Sequence, residues 1–356
     1  MIKINKHIEI VSSGYSWLSS MSARSRDAAF NVLAKNYSKV GITIVNNLSE
    51  LEDLIDLRPD LVFLGMEFVP VDLALGLQDT NKIWISKYLE EHGIAYTGSD
   101  QMAHELERNK PLAKQRVLDA GLKTLPYYIA RQNQEQTWNN LRLKFPLFVK
   151  PTNRGGGLGI DSDSKVHNVV ELESKVRSIA SRLESDSLIE EYLDGREFSV
   201  AILKNMHTDE FLVMPIELVT EPDSHGERVL GGKVKSSNTE LALKVTDNIL
   251  KPKVITLAID AFQALGARDY GRIDIRLDNT GTPYFLEANL IPSLISGYGS
   301  FPKACALNIN MNYESMILNI VELGLARNLT DVENALEPYI IPISVLPEFE
   351  TTLNAV

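Results

Sequence analysis

The stretch from Gly271 to Asn289, GRIDIRLDNTGTPYFLEAN, constrains the fold of this chain more than any other. Two alternating runs flank a turn-forming cluster at Asp278 to Gly281, the pattern of an antiparallel hairpin. Strand side chains alternate between faces, so Arg272, Asp274 and Arg276 share one side while Ile273, Ile275 and Leu277 take the other. Glu287 and Asn289 share a face on the return strand. With an even number of residues in the turn, that face is also the side of Arg272 and Asp274. Two carboxylates, an amide oxygen and a guanidinium then converge. Such a hard-oxygen set suits Mg²⁺, which tends to share its shell with nucleotide phosphates. A solvated hairpin face also carries mixed charges, and the residues by themselves leave both readings open.

Two further segments point the same way without deciding it. Phe145 to Gly159, FPLFVKPTNRGGGLG, is a strand ending in Lys150 and followed by four glycines in five positions. Glycines let backbone N–H groups approach a polyphosphate closely, and a strand-end lysine adds charge. The GK[ST] ending of a P-loop is absent. Leu188 to Val200, LIEEYLDGREFSV, reads as strand, turn at Asp194-Gly195 and strand, with carboxylates able to accept from an amino group or from hydroxyls. A flexible surface turn and a hairpin with charged edges are the plainer alternatives for these two segments.

The rest of the chain sets the frame. Strands at Ile8–Val11, Gly41–Val45 and Leu61–Gly65 alternate with helical stretches near Ala23–Tyr37, Leu48–Ile55 and Lys82–His92, which predicts an open parallel α/β domain ending near residue 100. One helix is expected over Gln101–Ala120, others over Val170–Leu183 and Val254–Leu265, and an irregular tail after about Arg327. With 36 Lys+Arg against 47 Asp+Glu, the formal charge of −11 disfavours a nucleic-acid partner. No uncharged apolar run approaches the ~18 residues of a membrane span, and the N-terminus enters a strand pattern without a leader, so a cytoplasmic protein is expected. Cys305 is the one cysteine, and no Ser/His/Asp or Cys/His constellation is visible.

In this order and spacing, these segments resemble the ATP-grasp superfamily and, within it, the D-alanine–D-alanine ligase family. Tyr96 to Ser99, Asn109 to Lys114 and Lys165 to Asn168 add to the likeness, which runs from about Tyr96 to Arg327. The resemblance implies an ATP-grasp fold of α/β class: an N-terminal open parallel α/β domain (1–100), then a central lobe with the glycine loop (101–190) and a C-terminal lobe with the metal site (191–327) that clamp ATP between them, and a tail (328–356). It implies ATP as co-substrate with Mg²⁺, two ions or Mn²⁺ instead, small carboxylate and amine substrates, and no membrane partner; a homodimer would fit. Residue by residue, it puts Lys110 and Lys150 on the phosphates, with Gly155, Gly156, Gly157 and Gly159 folding over them. Glu190, Glu191, Tyr192 and Leu193 form the adenine hinge, and Glu197 takes the ribose. Asp274, Glu287 and Asn289 become the metal ligands. Arg272 stabilises the oxyanion of a tetrahedral intermediate, and a further lysine over the phosphates matches Lys233, with Lys235 nearly as good. The implied chemistry is attack of a carboxylate on the γ-phosphate, then displacement of phosphate by an amine.

The departures fall at the amino-acid sites. The segment that in the family carries an ammonium-binding glutamate is here Ser12 to Ser22, without an acidic residue. Gly156 and Gly157 replace two loop serines, Val234 replaces a tyrosine, Leu64 to Val69 replaces a His-Gly segment, and Ser293 replaces a glycine. Around Ser296–Lys303 there is about one extra residue. An ATP-dependent ligase for amino-acid-like substrates other than D-alanine is therefore expected, ahead of a divergent D-alanine–D-alanine ligase of the cell wall and of a non-catalytic nucleotide-binding protein. Glu67 is a candidate to hold an ammonium, Tyr15, Trp17 and Tyr298 to line a roomier pocket, and Arg276 or Lys303 to receive a carboxylate.

Overall fold

The computed structural model of the protein describes residues 2–139, 141–208, 210–222, 231 and 239–327. The N-terminal strands β1 (Ile4–Ser12), β2 (Tyr37–Ile44) and β3 (Leu61–Leu64) form a parallel sheet of order β2-β1-β3. Strand β1 is central and buried on both faces: Ile8 and Ile10 face one core and Val11 the other. Glu9, between Ile8 and Ile10, is buried as well, and its carboxylate accepts from the Thr43 hydroxyl at 2.8 Å and meets His7 at 2.6 Å. Helices Ala23–Asn36 and Leu48–Asp56 cover the strand, each started by a side-chain cap, Ser22 and Asn47. A short pair, β4 (Phe68–Val69) and β5 (Ile83–Trp84), precedes the helix Ile85–Glu91, so the helix expected from Lys82 begins three residues later, after a strand.

The helix expected over Gln101–Ala120 is two helices, Gln101–Arg108 and Lys110–Asp119. Asn109 leaves helical geometry, with φ −118° and ψ 84°, and its side chain accepts from the Leu112 N–H, while Pro111 sits in the first turn where its missing N–H is harmless. The break sets Lys110 at a helix start, its N–H bonded to the Thr152 carbonyl beside the glycine loop. These helices contribute Ala103, Ala113 and Val117 to the core of the C-terminal sheet, rather than to the central one.

The central sheet has order β6-β9-β7-β8, from β6 (Tyr127–Ala130), β7 (Leu147–Pro151), β8 (Lys165–Val166) and β9 (Ser187–Glu191), all antiparallel and backed by the helix Val169–Leu183. The C-terminal sheet, β12-β11-β10-β13-β14, is also antiparallel: β10 is Glu197–Lys204, β11 Phe211–Val219, β12 Leu241–Lys244, β13 Tyr270–Leu277 and β14 Pro283–Asn289. Helix Leu250–Ala264 packs on the Ile273/Ile275 face. Two helices that sequence periodicity did not reveal, Ser300–Ile309 and Tyr313–Ala326, lie against the opposite face and against β1 and β3. They tie the C-terminal lobe to the N-terminal one. Both are apolar for most of their length, which blurs the polar stripe that marks a surface helix. The tail after Arg327 lies outside the described residues.

Candidate active site

The hairpin β13–β14 reaches the expected pairing by an unexpected route. Its loop, residues 278–282, follows Leu277 paired with Pro283, an odd count that by itself would turn Glu287 and Asn289 away from Asp274. A bulge corrects this: Ile275 pairs with Phe285 but Asp274 pairs with Glu287, leaving Leu286 as the extra residue. Phe285 and Ala288 then enter the core, while Glu287 and Asn289 face Asp274 and Arg272. Asp278 shapes the loop by accepting from the Thr280 and Thr282 N–H groups.

Cross-strand neighbours complete this face. Residues directly opposite in a sheet share a side, and β10 places Glu197 opposite Arg276 and Ser199 opposite Asp274. Arg276 holds Glu197 at 3.1 Å and the Tyr192 hydroxyl at 2.9 Å, with its guanidinium 4.7 Å from the Tyr192 ring centre. It lines the cleft, held there by Glu197 and Tyr192. Asp274 accepts from the Ser199 hydroxyl at 3.0 Å and from the Asn289 amide at 3.3 Å, and both its oxygens bind Arg272 at 2.9 Å. Burial would lower the Arg272 guanidinium, but Asp274 outweighs it and holds it above its ordinary value.

Across the cleft, Lys150 is opposite Leu188, so Glu190 two residues on shares its face, and the two pair at 2.9 Å. Lys114 reaches the other oxygen of Glu190 at 2.5 Å and the Thr124 hydroxyl at 2.8 Å, completely buried. Lys114 stands four residues after Lys110 on one helix face, a spacing that could have marked it as a partner from sequence. Lys110 lies 3.6 Å from Glu287 and donates to the Arg154 carbonyl. Burial raises a carboxyl, yet Lys114 and Lys150 together hold Glu190 below its ordinary value. Burial pushes Lys114 down to about 8 against the pull of Glu190. Lys110 is lowered by burial, with Lys150 adding repulsion, whereas for Lys150 the attraction of Glu190 and Glu287 prevails over burial and raises it.

These groups surround a cleft of about 640 Å³, measured out to open solvent. Of the predicted residues, Lys150, Glu190, Glu191, Tyr192, Leu193, Glu197, Asp274 and Glu287 line it, and Lys110, Arg272 and Asn289 join through Glu287 and Asp274. Leu125, Phe148, Ile160 and Leu286 supply apolar walls that sequence reading did not single out. The loop Gly155–Gly159 leads into Ile160 without itself lining the cleft. Gly156 and Gly157 hold φ of +64° and +78°, consecutive left-handed positions that favour glycine over the serines expected there. Glu190 differs from expectation, since its carboxylate already holds two lysines; a carboxylate offers about four acceptor positions, so capacity toward a base remains. Lys233, Lys235 and Val234 lie outside the described residues. Asp274, Glu287 and Asn289 offer hard oxygens on one face, and the cations beside them balance their charge, a donor set that fits Mg²⁺.

Among the residues expected near the amino-acid sites, Glu67 is buried, accepts from the Ser20 hydroxyl at 3.1 Å and is paired with Arg108. His104 binds Glu107 at 3.2 Å, and Glu107 accepts from the Leu290 N–H, beside Asn289. Tyr15 and Trp17 stack at 5.7 Å between ring centres, and Lys303 lies over Tyr298 at 6.0 Å.

Comparison with known proteins agrees with this geometry. Residues 117–322 match the family described as D-ala D-ala ligase C-terminus. An uncharacterised protein of Sinorhizobium fredii, y4sG, is 32% identical over 265 residues, 73% of this chain and 74% of that one. A D-alanine–D-alanine ligase of Marinomonas is 28% identical over 290 residues, 81% of this chain and 86% of that protein. The fold is shared with the Bacillus anthracis D-alanine–D-alanine ligase complexed with ATP, at TM-score 0.69 and 21% identity, over 92% of this chain and 99% of that one. Among the described residues no helix is long and apolar enough to cross a membrane. The chain belongs to the D-alanine–D-alanine ligase family of ATP-grasp carbon–nitrogen ligases.

Proposed function

We propose that this ligase joins a carboxylate to an amine at the expense of ATP, on amino-acid-like substrates other than D-alanine. The observation that carries the reading is a contrast within one structure. The lysines, acids and arginine suited to ATP converge on one cleft, while Ser12–Ser22 brings no carboxylate for an ammonium and the nearby Glu67 is already neutralised by Arg108. The likeness of relatives named D-alanine–D-alanine ligases supports a second reading, an authentic enzyme of that kind.

In the leading reading, Lys110 and Lys150 hold the phosphates, with Gly155–Gly159 closing over them to exclude water. Tyr192, Leu193, Phe148 and Leu125 enclose the adenine, Glu190 and Glu191 lie at its edge, and Glu197, steadied by Arg276, faces the ribose. Asp274, Glu287 and Asn289 would hold Mg²⁺, one ion or two; Mn²⁺ suits the same oxygens. When bound, the ion would offset phosphate charge. A substrate carboxylate oxygen attacks the γ-phosphorus and ADP leaves. The amine nitrogen then attacks the acyl carbon, the C–O bond to phosphate breaks, and the amine proton passes to solvent. Arg272 stands beside Asp274 with a fixed positive charge for the oxyanion that forms in this second step. In this reading Gln101–Asp119, whose Ala103, Ala113 and Val117 pack on the C-terminal sheet, belongs with the C-terminal lobe, so Lys110 comes from one lobe and Lys150 from the other.

The test is ADP release with D-alanine alone, compared with a panel of carboxylates paired with amines. Turnover with other pairs and little with D-alanine is expected. Robust turnover with D-alanine would favour the second reading.

A further inference from the structure

Near the end of the helix that precedes Lys110 lie three partly buried cations, Lys82, Arg108 and Arg154, of which only Arg108 stands in an ion pair among the described residues. Arg108, last residue of its helix and two before Lys110, is paired with buried Glu67 and lies 5.6 Å from the centre of the Phe68 ring. Lys82 lies 4.6 Å from the centre of the same ring and 5.8 Å from that of Trp84, which packs edge-on against Phe68 at 5.4 Å. Arg154 donates to Asn153 at 2.7 Å and to the Leu183 carbonyl, while its own carbonyl receives Lys110. Among the described residues, neither Lys82 nor Arg154 stands in an ion pair; Glu67, Asp79 and Glu105 act on Lys82, and Glu184 on Arg154, without contact. Burial lowers both Lys82 and Arg154, and in each the next cause is repulsion from Arg108. Two cations over one aromatic ring, with Arg154 near enough to be repelled by Arg108, gain from an anion brought among them.

Two anions could answer that need, a phosphate of ATP or a group on the substrate acid. The phosphates already have Lys110, Lys150 and the glycine loop. Arg108 and Lys82 instead lie over Phe68, and neither lines the cleft with Phe148, Tyr192 and Leu193. Glu107, the residue before Arg108, accepts from the Leu290 N–H next to Asn289, which ties the helix end carrying Arg108 to the strand that carries Glu287 and Asn289.

We propose that Arg108, Lys82 and Arg154 bind a second carboxylate on the acyl substrate, so that the acid activated by this ligase is a dicarboxylate, such as an acidic amino acid joined through one of its two carboxyl groups. This rests on the ligase reading above and narrows its substrate class.

The test is calorimetric titration of the full chain, loaded with Mg²⁺ and a non-hydrolysable ATP analogue, with glutarate and D- and L-glutamate against butyrate and D-alanine. At least one diacid should bind about tenfold or more tighter than the monoacids, and Lys82→Ala should remove that preference while nucleotide affinity stays within about twofold. Lys82 is half-buried and outside any ion pair, so its removal leaves the Glu67–Arg108 contact in place. Equal binding of diacids and monoacids would overturn the proposal, as would a preference that survives Lys82→Ala. A nucleotide affinity that falls along with the acid affinity would reassign the cluster to phosphate and overturn it equally. Lys82-dependent diacid binding without ADP release for any amine would leave the anion site standing and sink the ligase reading instead.

Discussion

Glu190→Gln probes the electrostatic centre of the cleft. The substitution keeps shape but removes the negative charge between Lys114 at 2.5 Å and Lys150 at 2.9 Å, whose side chains are 0% and 5% exposed. At an effective dielectric of about 20, each pair carries a gross attraction of about 6 kcal/mol. Desolvation offsets much of that, and breaking such buried pairs typically costs about 3–5 kcal/mol. The protein has one way to reduce the loss. Lys114 is already pushed from its ordinary 10.5 to about 8, so shedding its proton at pH 7 costs on the order of 1 kcal/mol, and without Glu190 it will do so. We therefore expect a loss of about 2–3 kcal/mol at pH 7 by urea unfolding. The sign with pH follows from the lowered folded value. Between about 8 and 10.5 the unfolded chain binds more protons at this position than the folded one, so wild-type stability gains from Lys114 as pH rises through that window. In the variant the folded value is lower still and the gain begins earlier, so the cost of the substitution is largest near pH 6 and shrinks by pH 9. A cost below about 1 kcal/mol at pH 6, or one equal at both ends, would refute the pairing.

Other predictions follow from the same cleft. Glu287→Gln should lower turnover by about 10²–10³-fold or more with the fold intact by circular dichroism, because the metal site loses a charged ligand; near-normal rates would remove Glu287 from it. Lys150→Ala should weaken binding of an ATP analogue by about 10–100-fold in calorimetry, and an unchanged affinity would deny its phosphate role. Deleting Leu286 removes the bulge and drives Glu287 toward the core, so no soluble folded protein should form, whereas Leu286→Ala should fold and keep Mg²⁺-dependent nucleotide binding. A folded, active deletion variant would show that the register does not depend on the bulge.

Much of this was legible in the residues, for physical reasons that also explain the gaps. Period-two alternation from Arg272 to Leu277 fixed which side chains face the cleft, and the alternation of strands with helices before residue 100 announced a parallel sheet. Turn parity was not legible, since an unpaired Leu286 looks the same in sequence as a paired one. The split at Asn109 was written in a capping residue followed by Pro111, yet helical periodicity on either side masked it. Helices Ser300–Ile309 and Tyr313–Ala326 escaped because helices packed on several neighbours lose their polar face. Lys114 had a mark in its spacing from Lys110, but the cluster of Glu67, Arg108 and Lys82 depends on contacts between distant segments, which leave no local trace in the chain.

The most direct test of the central claim follows oxygen rather than product. With ¹⁸O in the carboxylate of an acid that supports turnover, attack on the γ-phosphorus must carry one labelled oxygen into the phosphate released with ADP. One ¹⁸O per released phosphate, seen by mass spectrometry and only in the presence of both acid and amine, is the predicted result. Unlabelled phosphate during sustained ADP formation would mean that water, not a carboxylate, attacks ATP in this cleft, and would contradict the ligase account.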